Sequence, residues 1–439
     1  MNLLFRKEVV SLALPVLVEH FSSSFLLLMD TFFVSKLGPR AIASVGLGTY
    51  MFWITITLAQ VSVIGTTVLV SQTFGSGKTR EVRKIVFESL LLSLLLSLPL
   101  LIASRAGIEF YLRAIGAPSE LWSDTESYLA PLLMSIPGLY MSASLSASLR
   151  GIGDTRTPMK IGLGANALNL VLDPLLIYGF GPFNGLGVFG AGLASALSTY
   201  WSFLVYLIVI PSRIGIEPML PRKETFLKLL DLGIPAGVER IAMSVSYSAY
   251  VSLIARFGSE YLAAYQVGLK IESFAYMPGL AFSIVSSVLV GQSIGSKNMK
   301  RAVEMAWESS KASTIAMSLS GLALALTAPI TPKPFLKDES LLFLATVYLV
   351  IAGLSEPGLG FSMGMSGAMR GSGDTRLPVV LNLISFWSVR IGVGYLLGYV
   401  LGFGVFGVWA CMAIEVSFRG LLFFLAFRKL FNRRVRILV

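Results

Sequence analysis

The chain has 439 residues, 55% of them hydrophobic and only 13% charged, with a formal net charge of +11 and a mean hydropathy of +0.76. That balance excludes a soluble globular enzyme and points to an all-α integral membrane protein. Apolar stretches of roughly 20 residues, each able to cross about 30 Å of hydrocarbon as a helix, recur end to end and leave no room for a soluble domain. About twelve fit, beginning near residues 8, 41, 84, 124, 157, 187, 228, 261, 304, 338, 377 and 405. The period-2 alternation of a membrane barrel is absent, so the spans read as helices.

The opening MNLLFRKEVVSLALPVLVEH is basic and then apolar, as a secretion signal is. It lacks a small-residue cleavage site and its apolar run continues to about residue 35, so it reads as the first span. With the amino terminus inside, the inner loops collect Arg6, Lys7, Lys78, Arg80, Arg83, Lys84, Arg150, Arg156, Lys160, Arg213, Arg222, Lys223, Lys297, Lys300, Arg301, Arg370, Arg376 and the tail RKLFNRRVR. The outer loops keep Lys36, Arg40, Arg105, Arg113, Lys333 and Lys337. This bias places both termini in the cytoplasm and assigns the basic tail to anionic lipid headgroups rather than to nucleic acid. Cys411 is the only cysteine, so no internal disulfide forms.

LRGIGDTRTP ends at Pro158 and MRGSGDTRLP at Pro378, an offset of 220 (378 − 158). The same offset aligns Pro15 with Pro235, Glu19 with Glu239 and Gln72 with Gln292. The chain therefore divides into two homologous six-helix lobes, residues 1–215 and 216–439. Six is even, so both halves enter the membrane from one side, as parallel repeats about an axis along the membrane normal. A V-shaped central cleft between them is the expected substrate site, with alternating access by rocking of the lobes.

Asp173 lies in the apolar run NLVLDPLLIYG, and Asp30 is the only acid between Glu19 and Glu81. Their repeat counterparts are Val393 and Tyr250, so both acids belong to the first half alone. A charged carboxylate near mid-membrane costs roughly 2.5–3.5 kcal/mol on insertion scales, which argues for a function. Counting back from Lys36 and Gly181 at 1.5 Å per residue puts both acids about 10 Å below the outer surface, where they can share a site. Asn169, four residues before Asp173, faces the same way. Pro174 leaves the Leu170 carbonyl free and is expected to bend the helix beside the acid. Two carboxylates, an amide oxygen and a bare carbonyl suit H⁺ or Na⁺. One histidine and one cysteine make a structural metal site improbable.

The stretches MDTFFVSKLG, NALNLVLDPLLIYGFG and GVFGAGLASALS, with the doubled RGxGDTR, resemble the multidrug and toxic compound extrusion (MATE) family over nearly the whole chain. Acids confined to the amino-terminal half resemble its DinF-like branch, in which Asp30, Asp173 and Asn169 match coupling positions and Pro15 matches a proline where the first helix bends. The resemblance implies a secondary active antiporter that exports cationic amphipathic compounds in exchange for H⁺ or Na⁺. It implies no resident cofactor and no enzymatic reaction, and the chain is expected as a monomer in the cell membrane. A lipid-linked saccharide flippase of the same superfamily is the rival reading, discriminated by a more basic cleft.

Tyr128, Met141, Met277, Glu272 and Arg390 are candidate cavity residues, the methionines because soft side chains suit promiscuous walls. Glu272 either lines the cavity or pairs with Lys270 or Arg256. Arg390 either faces the cleft or pairs with Glu415 or Glu356. Glu19 and Glu239 recur in both halves, which favours a scaffold or gating role. Asp154 and Asp374 read as caps of the helices that follow them. The glycines of RGxGDTR lack the GK[ST] ending of a phosphate loop, which argues against nucleotide-driven transport.

Overall fold

The computed structural model describes residues 7–438, nearly all of them helical. Among these, nine helices are long and apolar enough to cross a membrane, or ten if Ser119–Met134 and Ile136–Gly151, which meet at 44°, form one span. Pro137, with no N–H to donate, accounts for that bend. Lys223–Ala255 and Met299–Thr327 complete twelve long rods. Their first turns carry Lys223, Glu224 and Lys228, and Lys300, Arg301 and Glu304, which lowers their mean hydropathy. The connections are short. Between rods lie Ile108–Ala114, the helix Ser259–Ala275 that leads into Met277–Gly295, and a two-stranded hairpin, Gly179–Phe180 with Phe183–Asn184. Asp154 accepts from the Thr157 N–H at 3.0 Å and Asp374 from the Leu377 N–H at 3.1 Å, as caps do. Outside the spans, the Ser340 hydroxyl and the N–H groups of Leu341 and Ser340 hold the Asp338 carboxyl below its usual value.

The chain packs as two compact units, one of them Val18–Gly237, the other the chain up to Leu17 with that from Val238 onward. Each first helix of a repeat is divided between the units. Pro15 and Pro235 stand just before those crossing points. Hydrophobic patterning marks a buried face but not the bundle that buries it. Val9 and Ala13 accordingly pack with Phe282, Leu289 and Phe423.

Both repeats run their first and fifth rods side by side in one register. In the Val18–Gly237 unit, Asn166 donates to the Ser22 hydroxyl at 2.9 Å and the Tyr178 hydroxyl donates to the Phe33 carbonyl. In the other, Asn382 donates to Glu239 at 2.6 Å, Trp387 to the Ser246 hydroxyl at 2.9 Å, and the Tyr399 hydroxyl to the Leu253 carbonyl. Phe33 and Leu253 are 220 apart, but Tyr178 and Tyr399 are 221 apart (399 − 178). The π-helical stretches Phe386–Val393 and Leu396–Val400 absorb the extra residue.

Small residues let helices approach closely. A Cβ on Gly321 would stand 2.3 Å from the Gly353 carbonyl oxygen, and one on Gly353 would stand 2.4 Å from that of Gly321. Gly321→Val is expected to destabilise the protein by about 1–3 kcal/mol through overpacking. A lowered midpoint in thermal unfolding of the purified protein would confirm it, and an unchanged midpoint would show that the helices part there at no cost.

Candidate functional site

Asp30 and Asp173 meet: a carboxyl oxygen of each lies within hydrogen-bond reach of the Asn169 amide. Parallel packing of the Lys7–Ser35 and Arg156–Tyr178 helices brings them to one level, as the depth estimate requires. Asp173 is 1% exposed and Asn169 2%. The Asn169 amide nitrogen donates to Asp30 Oδ1 at 3.1 Å and to Asp173 Oδ2 at 3.3 Å, while its oxygen accepts from the Ser195 N–H at 3.1 Å and hydroxyl at 3.3 Å. The reverse orientation would turn the amide oxygen against two carboxyls and leave the amide nitrogen a single contact, to the Ser195 hydroxyl at 3.3 Å. With its nitrogen toward the pair, the amide presents donors to both acids. Two ionised carboxylates in such proximity repel each other, so the fully ionised pair is costly.

Tyr128 stands beside the pair, within electrostatic reach of both acids, with its hydroxyl 3.4 Å from that of Thr49. Its ring packs on Gly48, where a Cβ would come within 2.6 Å of it. Pro15 and Pro174 both lie inside continuous helices. Ser195, which orients Asn169, had no signal in the sequence. It sits in a run of small residues whose partner only the fold reveals.

Glu19 accepts from Arg150 at 2.8 Å and Glu239 from Arg370 at 2.7 Å, both 131 residues away. The acid shared by the repeats thus ties the first helix to the arginine of RGxGDTR. His20, next to Glu19, leaves its Nε2 buried without a partner.

In the second repeat the counterpart of Asp30, Tyr250, is fully buried and donates to the Val408 carbonyl at 3.0 Å. The Arg390 guanidinium lies 5.6 Å from its ring centroid. Arg390 pairs with Glu415 at 2.8 Å. Glu356 is fully buried with neither carboxyl oxygen bonded. This unit also holds a half-open cavity of about 460 Å³ whose wall includes Glu239, Arg240, Tyr247, Glu272, Tyr276, Met363, Arg370 and Arg419. Glu272 lines it and accepts from the Tyr348 hydroxyl, rather than pairing with Lys270 or Arg256. Arg390 and Met277 do not line it: the first is held by Glu415, the second is buried. Met141 belongs to the other unit and is half-buried. Among the described residues, no group of three or more His, Cys, Asp or Glu side chains is placed to hold a metal ion.

The chain is 28% identical over 430 residues to a Thermotoga maritima protein named probable multidrug resistance protein NorM, covering 96% of this chain and 92% of that one. A solved structure of a MOP superfamily transporter from Pyrococcus furiosus superposes with a TM-score of 0.90 at 23% identity, covering 98% of this chain and 96% of that one. A substituted form of the Vibrio cholerae MATE transporter VcmN superposes with a TM-score of 0.91 at 20% identity, covering 97% of each chain. Those two likenesses show the fold. The MatE family model matches residues 15–175 and again 235–396, one match in each repeat. The chain belongs to the MatE family of membrane transporters.

Proposed function

We propose that the protein is a secondary active multidrug efflux antiporter of the DinF-like kind, exporting cationic amphipathic compounds in exchange for H⁺. The observation that carries this reading is the adjacent pair Asp30 and Asp173, present in one repeat only and bridged by Asn169. The name of the Thermotoga relative supports the multidrug part. The donor face that Asn169 turns to both acids favours H⁺ over Na⁺, since an ion with a preference for oxygen ligands would gain nothing from an amide nitrogen. Protonation reduces the pair's negative charge and weakens its hold on a cation, which then leaves outward. A cationic substrate entering from the cytoplasm displaces the proton in turn, so that the two share one site at different times. The distribution of basic residues supports the cell membrane as the location, with both termini in the cytoplasm.

Ethidium transport in proteoliposomes, driven separately by a pH gradient and by a Na⁺ gradient, tests the reading. Uphill transport under the pH gradient alone is expected. Transport driven only by Na⁺ would replace the coupling ion. Failure under both gradients would overturn the antiport reading and make lipid flipping the reaction to assay.

A further inference from the structure

Arg240 stands midway along Lys223–Ala255, beside the buried Glu239, and lines the cavity of its unit. Its side chain is exposed, and among the described residues none accepts a hydrogen bond from its guanidinium. The other charges of that wall are committed. Glu239 accepts from Arg370 and Asn382, Glu272 from Tyr348, and Arg419 is held by Glu415 at 2.7 Å. Arg240 is therefore the charged group of that wall with no hydrogen-bond or ion-pair partner among the described residues, in a helix at membrane depth, where ionisable side chains are costly without a partner or a function. A guanidinium offers only donors, in a planar fork that fits carboxylate and phosphate groups. Met243, Tyr247, Tyr276 and Met363 surround it with apolar and aromatic surface.

We propose that this cavity is a binding site for an amphipathic molecule carrying a carboxylate, sulfonate or phosphate group. The anion seats on Arg240, and the apolar body lies against Tyr247, Tyr276, Met243 and Met363. The site is separate from the acid pair, which belongs to the other unit, and does not depend on the antiport reading.

The test is equilibrium binding with no gradient present. Purified full-length protein in detergent is titrated with dansylglycine and with its methyl ester, which differs only in lacking the charge. The wild type is expected to bind the acid about tenfold more tightly, as one charge-assisted bidentate contact provides. Arg240→Gln should erase that preference, while Arg240→Lys, which keeps the charge but not the fork, should retain part of it. Equal binding of acid and ester by the wild type, or an undiminished preference in the glutamine variant, overturns the proposal. If the glutamine variant does not fold, the wild-type comparison decides alone. Repeating the titration in phosphatidylcholine nanodiscs with and without phosphatidylglycerol identifies the source of the anion. Competition by the anionic lipid supports a headgroup as the occupant, and its absence supports a free solute.

Discussion

Asp173→Asn is expected to abolish uphill efflux while leaving the protein folded in the membrane. For one-for-one exchange of a monovalent cation against H⁺, one unit of pH gradient sustains about a tenfold concentration ratio of drug, because each side of the exchange is then worth about 1.4 kcal/mol. Asparagine preserves the size of the side chain and its capacity to bond Asn169, but cannot take up a proton, so the drug ratio should collapse to about one. Asp30→Asn should do the same, since each carboxyl titrates only as half of the pair. Asn169→Leu keeps both acids but removes the donors that brace them, and should lower the efflux rate without removing coupling. Radiolabelled tetraphenylphosphonium accumulation in proteoliposomes reads all three, with thermal unfolding as the check on folding. A wild-type ratio in both aspartate variants would contradict the assignment.

The largest expected loss of stability lies in the other unit. Glu415 is fully buried and binds Arg390 at 2.8 Å and Arg419 at 2.7 Å, with the Ser385 hydroxyl donating at 2.6 Å. Arg390 and Arg419 are 5% and 7% exposed, so each has little water to turn to. Glu415→Ala leaves two guanidinium groups buried without a counter-charge, at a cost of about 3–5 kcal/mol. That corresponds to roughly 10 °C in the unfolding midpoint of a unit this size. Glu415→Gln, which still accepts a hydrogen bond, should lose less. Adding Arg390→Met to Glu415→Ala should recover part of the loss by removing one stranded charge. Differential scanning fluorimetry of the purified variants checks the order, and a midpoint unchanged in the alanine variant would refute the network's role.

Much of the architecture was legible because membrane helices declare themselves by apolar length and are punctuated by glycine, proline and charge. The expected starts near 157, 187, 338, 377 and 405 face helices that begin at Arg156, Gly187, Glu339, Arg376 and Gly404. The meeting of Asp30 with Asp173 was legible from depth alone, since parallel packing of two helices needs only equal levels to bring side chains together. The pairing of Glu19 with Arg150 was present in the sequence as a separation of 131 repeated by Glu239 and Arg370, but went unread. Other features left no trace in residue types. The division of each first helix between units depends on which bundle offers the complementary face. The extra residue in the fifth rod of the second repeat is hidden by an ungapped match at 220. For Arg390, two buried acids were equally plausible partners by composition, and only the packing of Gly404–Arg434 against the π-helical segment selects Glu415 over Glu356.

The central claim, that the Asp30–Asp173 pair exchanges a proton for a cationic substrate, is tested most directly by proton release on binding. Purified protein in weakly buffered detergent solution with a pH indicator is mixed with tetraphenylphosphonium, and release is recorded by stopped flow. The account predicts about one proton released per cation bound by the wild type and none by Asp30→Asn or Asp173→Asn. Saturable binding by the wild type with no proton released would contradict it.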